Sequence, residues 1–173
     1  MEQFNGRRDP VRLLVQCGLF TALVAVGTLI SFPIAGGHGF INLGDAVIHT
    51  AAFLIGGWHC AAIAAVGSAI ADVILGHSIY VPGTLIIKGL MAFVSGLLVR
   101  RLGSKTWLIP VSLLIAGIIV PAGYFLYELL LSALGAWEPA MAVVDLPWNM
   151  IQYAAGAVIG TAVILILKKL GKR

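Results

Sequence analysis

Long stretches that are almost free of charged residues are the feature that most constrains this chain. Hydrophobic residues make up 60% of its 173 residues and charged residues only 10%, whereas soluble domains usually have about 45–50% and about 25%. A soluble protein of this size has to cover its surface with charge, and seven acidic and eleven basic side chains are too few for that. Since a transmembrane helix needs about 20 mainly apolar residues, the sequence predicts an integral membrane protein.

Six apolar stretches can be traced, and glycine, proline or charged residues separate them. The stretch from Asp45 to Leu75 is too long for one span, and Gly56-Gly57-Trp58 divides it. Pro121 is expected to kink the fifth span, and a loop that contains Trp137 and Asp145 precedes the sixth. The prediction is a single all-α membrane domain over residues 1–173, with six transmembrane helices at about 11–33, 45–56, 58–75, 83–99, 107–134 and 148–167.

All lysine and arginine residues except Lys88 lie in three clusters beside apolar runs, at about 7–12, 100–105 and 168–173. They do not form one basic face, so the net charge of +4 gives no reason to expect a nucleic-acid partner. Cytoplasmic loops of membrane proteins carry an excess of lysine and arginine. We therefore expect both termini in the cytoplasm, and the three remaining loops, which lack both residue types, outside.

Ionisable and amide side chains within the spans lie close to the predicted outer surface. Such groups are costly in a bilayer and mark functional sites. At 1.5 Å per residue, all lie within about 10 Å of that surface. Because a channel needs polar lining at every depth, this asymmetry favours a pocket that opens outward and is closed below. The set comprises Asp45, His49, Asp72, Lys88, Glu128, Asn149 and Gln152.

Helical spacing supports a pocket, although structural roles stay open for several of these residues. Tyr124 and Glu128 share a helix face, and an aromatic ring beside a polar group can stack a flat ligand and bind its edge. Alternatively, Lys88 and Glu128 pair with each other, Asp45 caps span 2 and His49 pairs with Asp45. The two amides of span 6 can also join helices to one another. The outer histidines match no metal-ligand motif, so neither a metal nor a cofactor is expected.

Small residues are frequent in spans 1 and 3. Gly18 and Ala22 form a small-xxx-small element, and span 3 is rich in small residues from Ala61 to Ala71. Small residues allow close approach of helices in lipid. They serve either internal packing or the docking of an external partner helix, and the sequence leaves both open.

Three motifs carry a family resemblance: Asn42-Leu-Gly-Asp45, Tyr80-Val-Pro-Gly-Thr-Leu-Ile-Ile-Lys88-Gly89 and Pro147-Trp-Asn149-Met-Ile-Gln152. With them and its six spans, the chain resembles the substrate-binding S components of energy-coupling factor (ECF) vitamin transporters. Within that group it is most similar to the riboflavin branch and its relatives for pyridoxine and hydroxymethylpyrimidine.

The resemblance implies a subunit that binds a water-soluble vitamin or precursor, a planar heterocycle, at the outer face of the prokaryotic plasma membrane. Its partners would be a membrane coupling (T) component and two ATPases, with Gly18 and Ala22 on the docking face. The loop after span 1 and the outer parts of spans 4 to 6 would bind the substrate. The expected substrate-binding residues are Asn42, Asp45, His49, Tyr80, Lys88, Tyr124, Glu128, Trp148, Asn149 and Gln152.

No enzymatic activity is expected. The sequence has no Walker A motif, so ATP hydrolysis would belong to the partner ATPases. The first alternative is an intramembrane enzyme that acts on a lipid or a peptide, but neither Gly-x-Ser-x-Gly nor His-Glu-x-x-His occurs. The second is a stand-alone small-molecule transporter, which would take up its substrate without partners.

Overall fold

The computed structural model describes residues 9–33, 40–102 and 105–171, and the regular secondary structure within them is helical apart from two three-residue strands. The all-α fold class is therefore confirmed. Strands β1 (Ser31–Pro33) and β2 (Phe40–Asn42) pair in antiparallel fashion between the first two helices. The helices are α1 (Pro10–Leu29), α2 (Gly44–Leu54), α3 (Gly57–Ile74), α4 (Val81–Leu102), α5 (Leu108–Gly117), α6 (Ile119–Ala133) and α7 (Pro139–Leu170).

Five helical segments in the described part of the chain are long and apolar enough to cross a membrane. They are α1, α3, α4 with the 3-10 turn before it (Ser78–Tyr80), α5 joined to α6, and α7. Helix α2 corresponds to the short second span, and with 11 residues it is the shortest of the six segments. The six apolar segments thus follow the predicted order along the chain.

The fifth segment is interrupted at Ile118, between α5 and α6. Pro121 has no N–H to donate to a carbonyl four residues earlier, and its ring crowds that carbonyl. The carbonyl in question belongs to Gly117, so the interruption lies where the proline acts. Ile118 and Ala122 keep their backbone hydrogen bonds to Leu114 and Ile118, and the helical path continues.

The start of the sixth segment was predicted wrongly. Helix α7 begins at Pro139, not near Trp148, and therefore includes Asp145, which the sequence analysis had placed in a loop. Proline is well suited to the first turn of a helix because its missing N–H has no partner there. Pro147 lies inside the helix, as proline can in membrane bundles.

Small residues of α3 pack inside the bundle. A Cβ atom at Gly67 would lie 2.7 Å from the carbonyl oxygen of Thr21 on α1, so these helices meet closely. Ala64 and Ala71 are fully buried on the same helix. For this part of span 3, internal packing therefore explains the small residues.

Helices α2 and α7 are brought together by two glycines. Gly156 and Gly160 are four residues apart on α7, like Asp45 and His49 on α2. A Cβ atom at Gly156 would lie 2.6 Å from Cβ of Asp45, and one at Gly160 would lie 2.9 Å from Cβ of His49. This Gly-xxx-Gly contact fixes the register in which Asp45 faces the other helices.

The described basic residues lie at one end of the bundle, with the exception of Lys88. Arg12 is at the start of α1, Arg100 at the end of α4 and Lys168 at the end of α7, and the antiparallel course of the helices brings these ends together. We call this the basic end. Arg7, Arg8, Lys172 and Arg173 lie outside the described residues.

Candidate functional site

A cavity of about 280 Å³ lies at the end of the bundle opposite the basic end. Its lining comes from the end of α1, the last two turns of α3, the first two turns of α4 and the segment before it, and from Asn42 before α2. The middle of α6 and the first half of α7, with Trp137 before it, complete the wall. Eight of the ten predicted binding residues line it, and Asp45 and His49 do not. The lining residues are Thr28, Asn42, Ser68, Asp72, His77, Tyr80, Thr84, Lys88, Tyr124, Glu128, Trp137, Met141, Asp145, Trp148, Asn149 and Gln152.

A buried ion pair forms part of the cavity wall. The ammonium of Lys88 donates to Oδ1 of Asp45 at 2.5 Å, and the amide of Gln152 donates to Oδ2 at 3.1 Å. Three helices therefore meet on one carboxylate. The suggested pair of Lys88 with Glu128 is wrong. The suggested capping role of Asp45 is wrong as well, because Leu43 is the N-cap residue of α2 and Asp45 lies inside the helix.

Glu128 has a different partner. Its Oε1 accepts a hydrogen bond from the hydroxyl of Tyr80 at 3.2 Å, while Oε2 is buried without a partner in the described residues. On the neighbouring wall, the hydroxyls of Thr84 and Tyr124 are 2.9 Å apart and hydrogen-bonded. The cavity therefore contains a carboxyl group that is held on one side and open on the other.

Aromatic rings surround these polar groups. The ring of Tyr80 lies 5.5 Å from that of Trp137 and 6.1 Å from that of Tyr124, both in edge contacts. The Lys88 ammonium is 5.9 Å from the centre of the Tyr124 ring. Aromatic faces beside fixed polar atoms suit a flat ligand whose edge carries hydrogen-bonding groups.

His49 and Asn42 support the structure around the cavity. His49 is fully buried one turn deeper than Asp45, and its Nδ1 is 3.0 Å from Oγ of Ser95 on α4. Nδ1 of His49 therefore contacts Ser95, and it does not form the suggested pair with Asp45. Asn42 lines the cavity and also accepts a hydrogen bond from the backbone N–H of Gly44 at 3.0 Å, at the start of α2.

Several lining residues were missed by the sequence analysis. Thr28 and Ser68 are small hydroxyl residues in long apolar spans, and their position within two turns of a span end is the signal that could have found them. Met141 and Asp145 were missed because that segment was predicted to be a loop. Asp72 had been noticed as an ionisable residue but not as a binding residue.

The predicted docking residues lie away from the cavity. Gly18 and Ala22 are exposed on α1, and a Cβ atom at Gly18 would touch nothing within 4 Å. Around them, Val15 and Leu19 are also exposed, at 64% and 57%. In the described ranges, no group of three or more histidine, cysteine or acidic residues could hold a metal ion.

Comparison with known proteins identifies a family. The family model described as "ECF-type riboflavin transporter, S component" matches residues 9–169. The chain is 29% identical over 163 residues to the "Thiamine precursor transporter HmpT" of Lactococcus lactis subsp. cremoris (strain MG1363), covering 93% of this chain and 90% of the relative. It is 30% identical over 149 residues to an "Uncharacterized protein in gap 3'region" of Pyrococcus woesei, covering 86% and 95%.

A solved structure has the same fold. It is described as "Structure and mechanism of the S component of a bacterial ECF transporter", and it superposes with a TM-score of 0.78 over 95% of this chain and 100% of that chain. The sequence identity is 18%, so this likeness concerns the fold alone.

Proposed function

Because the chain belongs to the family of ECF-type riboflavin transporter S components, we propose that its cavity binds a single-ring, water-soluble vitamin or vitamin precursor. The chain is a multi-pass membrane protein and a transport subunit for vitamin uptake, not an enzyme. The binding residues we propose are the eight predicted residues in the cavity wall, with Asp45 holding Lys88 from behind. His49 has a supporting role.

The observation that carries this proposal is a cavity lined by polar and aromatic side chains at the end opposite the basic residues. Since basic residues favour the cytoplasmic side, the cavity faces outward and meets the substrate before transport. Its volume of about 280 Å³ is at the lower limit of the roughly 300–1,000 Å³ of ligand pockets. That size favours one ring, as in pyridoxine or hydroxymethylpyrimidine, over the three fused rings of riboflavin. The printed name of the Lactococcus relative, a thiamine precursor transporter, supports the same choice.

We further propose that transport needs a membrane coupling component and two ATPases, as in the ECF class of ABC importers. The exposed face of α1 around Gly18 and Ala22 is the proposed docking surface. Apolar side chains are exposed on this surface, and Gly18 has no side chain that would hold a partner away. A partner helix can therefore approach closely.

Ligand retention tests the proposal directly. The full chain, purified in detergent, should carry a small heterocycle that mass spectrometry identifies, and isothermal titration should show tight binding of that compound. Asn149→Leu should weaken binding because a cavity amide is lost, whereas Met150→Leu, on the exposed side of the same helix turn, should not. Equal affinities of the two variants would contradict the assigned pocket. Concentrative uptake by liposomes that contain this chain alone would contradict the partner requirement.

A further inference from the structure

The basic end of the bundle has a strong excess of positive charge. Its basic side chains, within the described residues, are those of Arg12, Arg100, Arg101, Lys105, Lys168 and Lys169. The acidic side chain that the described residues place at this end is that of Asp9, before α1, whereas the others lie in the half that holds the cavity. Because these basic residues flank helices long enough to cross a membrane, they lie where lipid headgroups meet the protein.

Arg100 is held against the turn between α2 and α3. Its guanidinium donates a hydrogen bond to the backbone carbonyl of Ile55, the C-cap residue of α2. A Cβ atom at Gly56 would lie 2.5 Å from Nε of Arg100, so the glycine makes room for this contact. A guanidinium has five N–H donors and Arg100 is exposed, so donors remain on the solvent side. Because the group is already held in place, a ligand that binds there costs little further side-chain entropy.

An exposed indole lies on the bilayer side of this turn. Trp58 is 76% exposed, and its ring stacks on that of Phe93 of α4 with the ring centres 4.4 Å apart. Phe93 lies about 4.5 Å along the helix before Gly96, against which the backbone of the α2–α3 turn packs. The stacked rings are therefore about one helical turn closer to the bilayer core than the turn that Arg100 holds. Tryptophan is enriched at this boundary between headgroups and acyl chains.

The turn between α4 and α5 adds two exposed cations and a second indole. Backbone hydrogen bonds close this turn, since the N–H of Lys105 donates to the carbonyl of Leu102 at 3.3 Å and that of Leu108 donates to the carbonyl of Lys105 at 3.0 Å. Arg101 and Lys105 are exposed, and the described part of the chain offers neither side chain a hydrogen bond or an ion pair. Trp107 is 66% exposed. These side chains are therefore available to a partner outside the chain.

We propose that this part of the basic end binds the headgroup of an anionic phospholipid, such as phosphatidylglycerol. The headgroup surface, as we call it, consists of Trp58, Arg100, Arg101, Lys105 and Trp107. Clusters of lysine and arginine beside a transmembrane helix attract anionic lipids, and a guanidinium matches the geometry of a phosphate. A soluble anion would gain nothing from an indole on the bilayer side, whereas a lipid places its glycerol and acyl chains against it. The lipid is a second ligand, at the opposite end from the proposed vitamin site.

Quenching by brominated lipids measures this preference at the surface itself. The full chain is reconstituted in phosphatidylcholine bilayers that contain brominated phosphatidylglycerol or the same share of brominated phosphatidylcholine. Bromine on the acyl chains quenches the tryptophans that a lipid contacts, and the Trp58→Phe/Trp107→Phe variant gives the signal of the remaining tryptophans, Trp137 and Trp148. We expect the anionic lipid to be preferred by about fivefold or more, because each basic residue contributes about that factor. High salt should reduce the preference.

Removal of two charges that make no contact within the described residues tests the surface without disturbing the fold. Arg101→Gln/Lys105→Gln should reduce the preference for the anionic lipid by about fivefold or more. In detergent without added lipid, the same variant should melt like the unmodified chain, which separates lost lipid binding from lost folding. Arg12→Gln is the matched control, because Arg12 is exposed at the same end on α1 and lies outside the headgroup surface. It should leave the preference unchanged.

Equal quenching by the two brominated lipids at low salt would overturn the inference, as would an unchanged preference in the Arg101→Gln/Lys105→Gln variant. Displacement of the anionic lipid by glycerol phosphate would overturn it in favour of a site for soluble phosphate. If the double variant kept its lipid preference and lost assembly with the coupling component, the surface would belong to a protein partner instead. None of these measurements uses the vitamin ligand, so the inference can fail while the proposed function stands.

Discussion

The ammonium of Lys88 lies 2.5 Å from a carboxylate oxygen of Asp45, and the two side chains are 5% and 1% exposed. Lys88 lines the cavity while Asp45 lies behind it, held also by the Gln152 amide. A buried ion pair with further hydrogen bonds can be stable, but loss of one partner leaves an uncompensated charge. The ion pair and the Gln152 amide therefore join α2, α4 and α7 at the cavity. Loss of either charged side chain should disturb the site.

The first prediction concerns this ion pair. Lys88→Met should lower the free energy of unfolding by about 3–5 kcal/mol, because Asp45 is left as a buried charge without its cation. The double variant Asp45→Asn/Lys88→Met should recover most of that loss. Melting temperatures in detergent measure both effects.

Two controls accompany that measurement. Lys105→Met removes an exposed lysine and should leave the melting temperature unchanged. Because Glu128 is hydrogen-bonded to Tyr80 and is not paired with Lys88, Glu128→Gln combined with Lys88→Met should give no recovery. If the Glu128→Gln/Lys88→Met variant recovers stability and the Asp45→Asn/Lys88→Met variant does not, the assigned pair of Lys88 with Asp45 is wrong.

The second prediction concerns the contact between α2 and α7. A side chain at Gly160 would meet Cβ of His49, which lies 2.9 Å from an added Cβ. Gly160→Leu should therefore destabilise the protein by roughly 1–3 kcal/mol or more through overpacking and weaken ligand binding, since Asp45 is on the same face of α2. Ala162→Leu, exposed on the same helix, is the control. A melting temperature of Gly160→Leu equal to that of the control would contradict the close contact.

The third prediction concerns docking. Gly18→Leu and Ala22→Leu add bulk to an exposed face without crowding the protein's own core at Gly18. We expect retained ligand affinity but loss of complex formation with the coupling component, because a partner helix can no longer approach closely. Co-purification and reconstituted uptake are the measurements. Ala122→Leu, exposed on α6, should behave like the unmodified chain, and parallel loss of ligand binding in the α1 variants would assign that face to internal packing.

The fourth prediction separates the hydroxyl of Tyr80 from its ring. Tyr80→Phe keeps the edge contact with Trp137 and loses the hydrogen bond to Glu128, so ligand affinity should fall by about 3- to 10-fold. Tyr80→Ala also removes the ring and should cost clearly more, because aromatic contacts add to hydrogen bonding. Isothermal titration compares the two, with Tyr153→Phe outside the cavity lining as control. Equal affinities of the Phe and Ala variants would show that the ring does not contact the ligand.

Much of the site could be predicted because depth in a membrane helix is a local property. The position of Lys88, Glu128 or Gln152 along an apolar span gives its distance from the surface without reference to other helices. The all-α class and the location of these polar residues at one end of the bundle followed in this way. Residues 139–147 were misassigned to a loop, whereas α7 runs through them and through Pro147, because the surrounding bundle allows a helix to continue through a proline.

Apolar length and charge placement in the sequence were enough to determine a membrane bundle with its polar residues at one end. Tertiary structure alone decided which of those residues meet. Gln152 meets Asp45 because Gly156 and Gly160 let α7 approach α2 and set the register between them, and Lys88 reaches the same carboxylate from α4. The choice of Tyr80 as the partner of Glu128, and the atoms left unpaired around the cavity, likewise depend on contacts between residues distant in the chain. Residue spacing within one helix does not tell how that helix is rotated, or how deep it lies, relative to another helix. The packing between the helices decides both.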